Sequence, residues 1–466
     1  MQRGFIAVVF LFFPVVIGSL SGCVHVERAV IEADYAFENV HVIPMSRNVV
    51  LENKIVAIKD GVIVAILDRA QAQQIKAAQR INGNSRYLMP GLADMHVHTR
   101  WNPEAMFNLY LAHGVTTVAN MWSGDGDGAI DHLRLRDQIA SGVMVGPRYL
   151  ISGDHFQGDF PKTVADVERM LNDYQQKKID FVKVHGDLPE AIYQAVITGA
   201  NNRNIKVIGH AQHSQPLAKS LEMDGLEHME ELLYVSRDQP IGSGVATDFL
   251  SAYRANVARL RNAEYRKLVV TDIADSGIYL DPTLIVYKMV GIWTSDEDLA
   301  SLRDDPNMVY LPKAVRDHWL SEEKNPYQEE GFPIDKAEVE SNLQVMFALT
   351  KELYDAGVTL ILGTDTFGTM IPGKSAHQEL SLLVEAGLTP FEALTCGTVN
   401  IADYLNETTV SGKIAEGYRA DFILLDKNPL LDINNVGTVS GVFTHNRWHN
   451  ADDLAELRHV AREKIQ

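Results

Sequence analysis

Two histidines one residue apart, His96 and His98, end an apolar run that follows Pro90-Gly91. Alternate side chains of a β-strand share a face, so both imidazoles leave one side of the strand with Val97 on the other. Such a pair offers two neutral nitrogen donors to a divalent cation, and the question becomes which later strand ends supply the rest. Four do: the run 180–185 carries Lys183, Val207-Ile208-Gly209 leads into His210, Leu226-Glu227 into His228, and Leu362-Gly363-Thr364 into Asp365. A single histidine or aspartate at a strand end commonly caps the next helix. Four histidines and Asp365 together read as a ligand ring. Lys183 is the odd member, because an ammonium has no lone pair; it either stands off the metal or is chemically converted.

These residues need a scaffold that brings strand ends to one face. Short apolar strands at 92–96, 115–121, 148–152, 181–184, 206–209, 225–227, 278–284 and 360–363 alternate with helical stretches. That is the α/β pattern of a (β/α)8 TIM-like barrel over residues 91–408, with its chemistry at the C-terminal strand ends. The long connection 287–340 carries Trp293, Tyr310, Trp319 and Tyr327; a cover over the site and an elaborated outer helix layer are both open. Strands at 37–44, 54–59 and 62–66, the last two joined by an Asp60-Gly61 hairpin turn, precede a short helix over 70–80. Further strands at 411–414, 420–425 and 439–445 follow the barrel. Residues 35–90 and 409–450 are expected to form one small β-sandwich domain from both chain ends, followed by a terminal helix over 451–466.

At 466 residues, 46% hydrophobic and 22% charged, the chain has the composition of a large globular protein. Its formal charge of −19, without a basic run, argues against nucleic-acid binding. An apolar run over 5–17, interrupted by Pro14, is too short to span a bilayer and reads as a signal peptide over 1–22. Leu20-Ser21-Gly22-Cys23 resembles a bacterial lipoprotein processing site. That makes Cys23 the lipidated first residue of a tether over 23–34, on an exported protein anchored to a bacterial membrane and facing the periplasm or cell surface. Cys396 then has no intramolecular partner.

The pattern Pro-Gly-Leu-x-Asp-x-His-x-His over residues 90–98, Lys183, His210, His228 and Gly363-Thr364-Asp365 resembles the amidohydrolase superfamily, over about residues 35–449. The resemblance implies two divalent metal ions, Zn2+ being the expected species. His96, His98 and Asp365 would hold one ion, His210 and His228 the other, and an N6-carboxylated Lys183 would bridge them. It further implies hydrolysis by a hydroxide shared between the ions, with Asp365 as general base and then general acid. Single-metal deaminases of that group carry an acidic residue shortly after the fifth-strand histidine; His210-Ala211-Gln212-His213 lacks it. The segment 363–390 and Gly417-Tyr418-Arg419-Ala420-Asp421 are similar to imidazolonepropionase-related peptidases of the Xaa-Pro dipeptidase type. Short peptides are therefore the expected substrates, with N-acyl amino acids, other amides and lactones or esters as alternatives. A non-catalytic metal-binding surface lipoprotein is the reading from another class. Arg100, His155, His185, His213, Tyr234, Tyr287 and His377 are the candidate substrate contacts, and a homo-oligomer is compatible with everything above.

Overall fold

The computed structural model describes residues 30–122, 130–238, 249–321, 323–329 and 333–465. The expected signal peptide and Cys23 lie outside the described residues. Fourteen strands are found among them: β1 (Ile31–Val42), β2 (Leu51–Lys59), β3 (Val62–Asp68), β4 (Ile75–Pro90), β5 (Leu92–Val97), β6 (Val115–Asn120), β7 (Arg148–Phe156), β8 (Phe181–Val184), β9 (Lys206–Gly209), β10 (Gly225–Glu227), β11 (Tyr279–Asp281), β12 (Phe422–Leu425), β13 (Val439–Thr444) and β14 (Arg447–His449).

Strands β5 to β11 form one parallel sheet in sequence order, with helices between successive strands. Parallel strands buried on both faces read as continuous apolar runs, which is why this part of the sequence was legible. The expected eighth strand at 360–363 is present only as a segment making single parallel bridges, Leu280 with Leu360 on one side and Val97 with Thr366 on the other. Ile361 N donates to Leu280 O at 2.9 Å and Met95 N to Leu362 O at 2.8 Å, so the segment closes the barrel between β11 and β5. The expected seventh strand is shorter than its apolar run: Leu284 starts the helix Leu284–Trp293.

The two chain ends share a second seven-stranded sheet, ordered β14-β13-β12-β4-β1-β2-β3. Asp60 and Gly61 turn β2 into β3 with φ of 50° and 74°, the left-handed pair that a two-residue hairpin turn requires. Four strand spacings separate β1 from β14, yet the Phe37 and Trp448 rings are 4.8 Å apart. The sheet therefore curls over its own face, and Phe37, Val56, Leu88, Phe422 and Phe443 fill the fold it makes. This is the sandwich-like domain in the form of one rolled sheet. On the opposite face of β12 and β13, Ile423, Leu425 and Val442 join the barrel core.

Three expectations are corrected. The helix over 70–80 is a 3-10 turn, Arg69–Gln74, followed by the long strand β4; parallel pairing of Ile75 to Ile81 with β1 overrides the helix preference of the Ala- and Gln-rich run. β1 starts at Ile31, inside the expected tether, for the same reason. Residues 411–414 form no strand, and Ile414 N instead donates to Pro44 O at 3.1 Å.

Candidate active site

His96 is the penultimate residue of β5 and His98 follows the strand; both are buried. Asp365 comes to them because its amide donates to His96 O at 2.6 Å, and Oδ1 of Asp365 lies 2.8 Å from His98 Nε2 and 3.6 Å from His96 Nε2. Asp94 fixes this junction from below, accepting from Thr364 Oγ1 at 2.7 Å and Thr364 N at 3.0 Å. Asp365 and His228 both occupy the left-handed region, at φ 45° and 66°. Non-glycine residues held there cluster where a side chain has to be aimed.

His228 follows β10, its ring 4.8 Å from that of His96 and 4.6 Å from that of His210. Its Nδ1 is 2.7 Å from Thr283 Oγ1, which leaves Nε2 for another partner. His210 follows β9 and sets Nδ1 3.2 Å from Glu231 Oε1. Glu231 also receives Ala211 N at 2.9 Å and stands 2.5 Å from His213 Nε2. Lys183, fully buried on β8, donates to Glu227 Oε2, and Glu227 Oε1 is 3.2 Å from His96 Nδ1. The six residues singled out for metal binding thus converge at the C-terminal ends of the barrel strands.

Burial governs the protonation of the group. It pushes His96 well below the ordinary imidazole value, His228 to about 3 and His210 to about 4, with Lys183 adding to the effect at each. All three rings are neutral with lone pairs available. Burial also lowers Lys183 to about 7, against the opposing charges of Asp365, Asp281 and Glu231. Burial would raise Asp365, yet His98, His228 and Lys183 outweigh it and hold the carboxyl below the usual range. Asp365 is therefore ionised.

The donor set fits a cation. Donor atoms of His96, His98 and Asp365 lie within 4.8 Å of one another, as do those of His96, Glu227 and His228. His98 Nδ1, His96 Nδ1, Glu227 Oε1 and both oxygens of Asp281 are buried without a hydrogen-bond partner among the described residues. Glu227 and Asp281 were missed in the sequence. They are register partners on β10 and β11, which only the folded sheet reveals. Glu231 was missed as well; a carboxylate three residues after a candidate ligand was the available signal.

The proposed substrate contacts divide. His155 and His185 stack 4.5 Å apart, and His185 is 4.5 Å from His210, extending the histidine row. Arg100 lies over Trp122, which stacks on His155 at 5.2 Å. His213 joins through Glu231. Tyr234, half-buried, lies 5.8 Å from the His213 ring and stacks on Tyr253 at 5.2 Å, and Tyr253 shares its hydroxyl with Tyr287 at 3.1 Å and with Asn342, so these phenols form a cluster that extends outward from His213. His377 is corrected: its Nε2 faces His113 O at 2.7 Å, just before β6 begins, at the opposite end of the barrel. From the connection 287–340, Trp293 and Trp319 lie on the site side, packing 5.2 Å and 5.5 Å from Phe367, two residues after Asp365.

A parallel barrel with histidines, a buried lysine and an aspartate gathered at its C-terminal mouth defines the class of barrels with a candidate metal centre there. The amidohydrolase family model matches residues 87–448, and the chain belongs to that family. An ochratoxinase of Aspergillus niger is 32% identical over 142 residues, 30% of this chain; the chain thus spans only 28% of that relative's length. An imidazolonepropionase of Kosmotoga olearia is 24% identical over 404 residues, covering 84% of this chain and 88% of the relative. Among solved structures, a bottromycin amidohydrolase superposes with a TM-score of 0.67 at 19% identity, covering 92% of this chain and 90% of that one. A Xaa-Pro dipeptidase with bound methionine gives 0.63 at 18%, covering 89% and 99%.

Proposed function

We propose that the protein hydrolyses the amide bond of short peptides with the help of two divalent cations, Zn2+ in the first instance. The observation that carries this is the placement of His96, His98 and Asp365 within ligand distance of one another, beside the neutral imidazoles of His210 and His228. When bound, the cations would polarise the scissile carbonyl and make a water acidic enough to attack near neutral pH. Asp365, ionised and 2.8 Å from His98, accepts the proton of the attacking water and returns it to the leaving nitrogen. Thr283 and Glu231 hold the His228 and His210 rings in their working tautomers. Lys183 would join the metal site as its N6-carboxylate, which requires Glu227 to give up its present ammonium partner. The structural likeness to a Xaa-Pro dipeptidase favours peptides, and the likeness to an ochratoxinase keeps other amides as the second reading.

The test is release of free amino acid from dipeptides and N-acyl amino acids by the zinc-loaded protein in bicarbonate. Cleavage of dipeptides, lost on chelation and in Lys183→Ala, supports the reading. Turnover confined to acyl amino acids or lactones shifts it to the second, and no turnover overturns both. A 13C signal from labelled bicarbonate on the wild type, absent in Lys183→Ala, checks the carboxylation. We further propose export and lipid anchoring through Cys23; Cys23→Ala should move the protein from the membrane to the soluble fraction.

A further inference from the structure

Two residues four apart on one face of the helix Lys374–Glu385 reach the supports of both halves of the ligand ring. Ser375 Oγ stands 2.7 Å from Thr366 Oγ1, and Thr366 Oγ1 stands 2.5 Å from Thr364 Oγ1, on either side of Asp365. Glu379, fully buried, accepts from Leu284 N at 2.9 Å through one oxygen and from Ile285 N at 2.7 Å through the other. Those are the first two amides of the helix Leu284–Trp293, whose N-cap is Thr283. An N-cap threonine ordinarily offers its hydroxyl oxygen to an amide of its own first turn. Thr283 does not. Its Oγ1 is turned 2.7 Å from His228 Nδ1, and a carboxylate from another helix takes the amides instead.

The backbone of Thr283 is pinned on both sides. Before it, Asp281 O accepts from His228 N at 2.8 Å and Pro282 O from Met229 N at 2.9 Å. After it, Glu379 holds residues 284 and 285. Thr283 between them is fully buried at φ 41° and ψ 41°, a conformation that a β-branched residue avoids. Such a backbone persists only where its surroundings over-determine it. Here it aims the hydroxyl that leaves His228 Nε2 for another partner.

We propose that Glu379 is a positioning residue of the metal centre: by capping the helix Leu284–Trp293 from outside, it frees the Thr283 hydroxyl to orient His228. This rests on the two-ion reading above, in which His228 is a ligand of the second ion. It also ties the second ion's residues to the first's, since the helix that carries Glu379 is fastened to the Asp365 segment through Ser375.

The experiment measures zinc affinity of the full chain by chelator competition at pH 9. Burial raises the Glu379 carboxyl to about 8 against the pull of the two amides, so at that pH it is ionised and both oxygens accept. The wild type is expected to take up two zinc ions. Glu379→Gln should weaken one of them by about 10- to 100-fold and the other by no more than about threefold. Thr283→Gly, which tolerates the left-handed backbone but has no hydroxyl, should do the same. The double variant should lose no more than either single one, because both changes break one tether. A residue that only caps a helix would lower the thermal midpoint in both backgrounds and leave zinc affinity alone. Crystal structures of the zinc-free proteins give a readout without metal: in Glu379→Gln, residue 283 should leave the left-handed region and its contact with His228 should open. If circular dichroism shows that Glu379→Gln has lost its fold, Glu379→Asp carries the same comparison with a smaller loss. Unchanged affinity, equal weakening of both ions, additive losses in the double variant, or an intact contact between Thr283 and His228 in Glu379→Gln would overturn the proposal. A wild type that takes up one zinc or none sinks the two-ion reading, and the zinc-free structures then decide the role of Glu379 by themselves.

Discussion

Individual side chains divide into those that do chemistry and those that aim them. Asp365→Asn removes the proton acceptor but keeps an oxygen near His98, so kcat should fall by roughly 10²- to 10⁴-fold with zinc content unchanged, measured by initial rates beside elemental analysis. Glu231→Gln leaves the ring of His210 in place but without its carboxylate; zinc affinity should fall by about 10- to 100-fold in chelator competition. An unchanged affinity would show that Glu231 serves His213 alone. The histidines, Lys183 and Asp365 were legible because each ends an apolar run, a position that means the same thing in sequence and in a barrel. Glu227 and Asp281 were not. A single acidic residue in a short run looks like a solvated one until the register sets the two side by side with Lys183.

Elements hold the site through the seam where the barrel closes. Thr364→Val deletes the hydroxyl that donates to Asp94 Oδ2 and contacts Thr366 Oγ1 at 2.5 Å, and it should destabilise the protein by about 1–3 kcal/mol, seen as a lower thermal midpoint. Gly363 is more restrictive, since a Cβ there would stand 2.0 Å from Asp281 Oδ2. Gly363→Ala should therefore cost both fold and zinc binding. The barrel strands were readable from apolar runs, and the hairpin from Asp60-Gly61. The closing segment was expected as a full strand, but only isolated bridges form there. Residues 75–80 carry a local helix preference, which says nothing of a partner strand that lies some forty residues earlier.

At the scale of the whole molecule, two cores meet through β12 and β13, which give one face to the barrel and the other to the rolled sheet. Phe37 packs on Phe422, Phe443 and Trp448 with centroid distances of 5.0, 5.9 and 4.8 Å. Phe37→Ala should destabilise the rolled sheet by about 3–5 kcal/mol, visible as a lower-temperature component in calorimetry while zinc binding survives below it. That one domain is assembled from both ends was legible in the strand-like runs flanking the barrel. Its rolling was not, because ring contacts across four strands have no local signature.

The pairing of β4 with β12, Pro90 beside Phe422 and Tyr87 beside Leu425, also sets an order of events. During translation β1 to β4 emerge early, but the strand that covers the open edge of β4 leaves the ribosome only after the entire barrel. Until then the edge from Tyr87 to Pro90 is uncovered and available to any neighbouring chain. A nascent or prematurely terminated chain ending before Phe422 is therefore the form of this protein most prone to self-association, and the one most dependent on a chaperone.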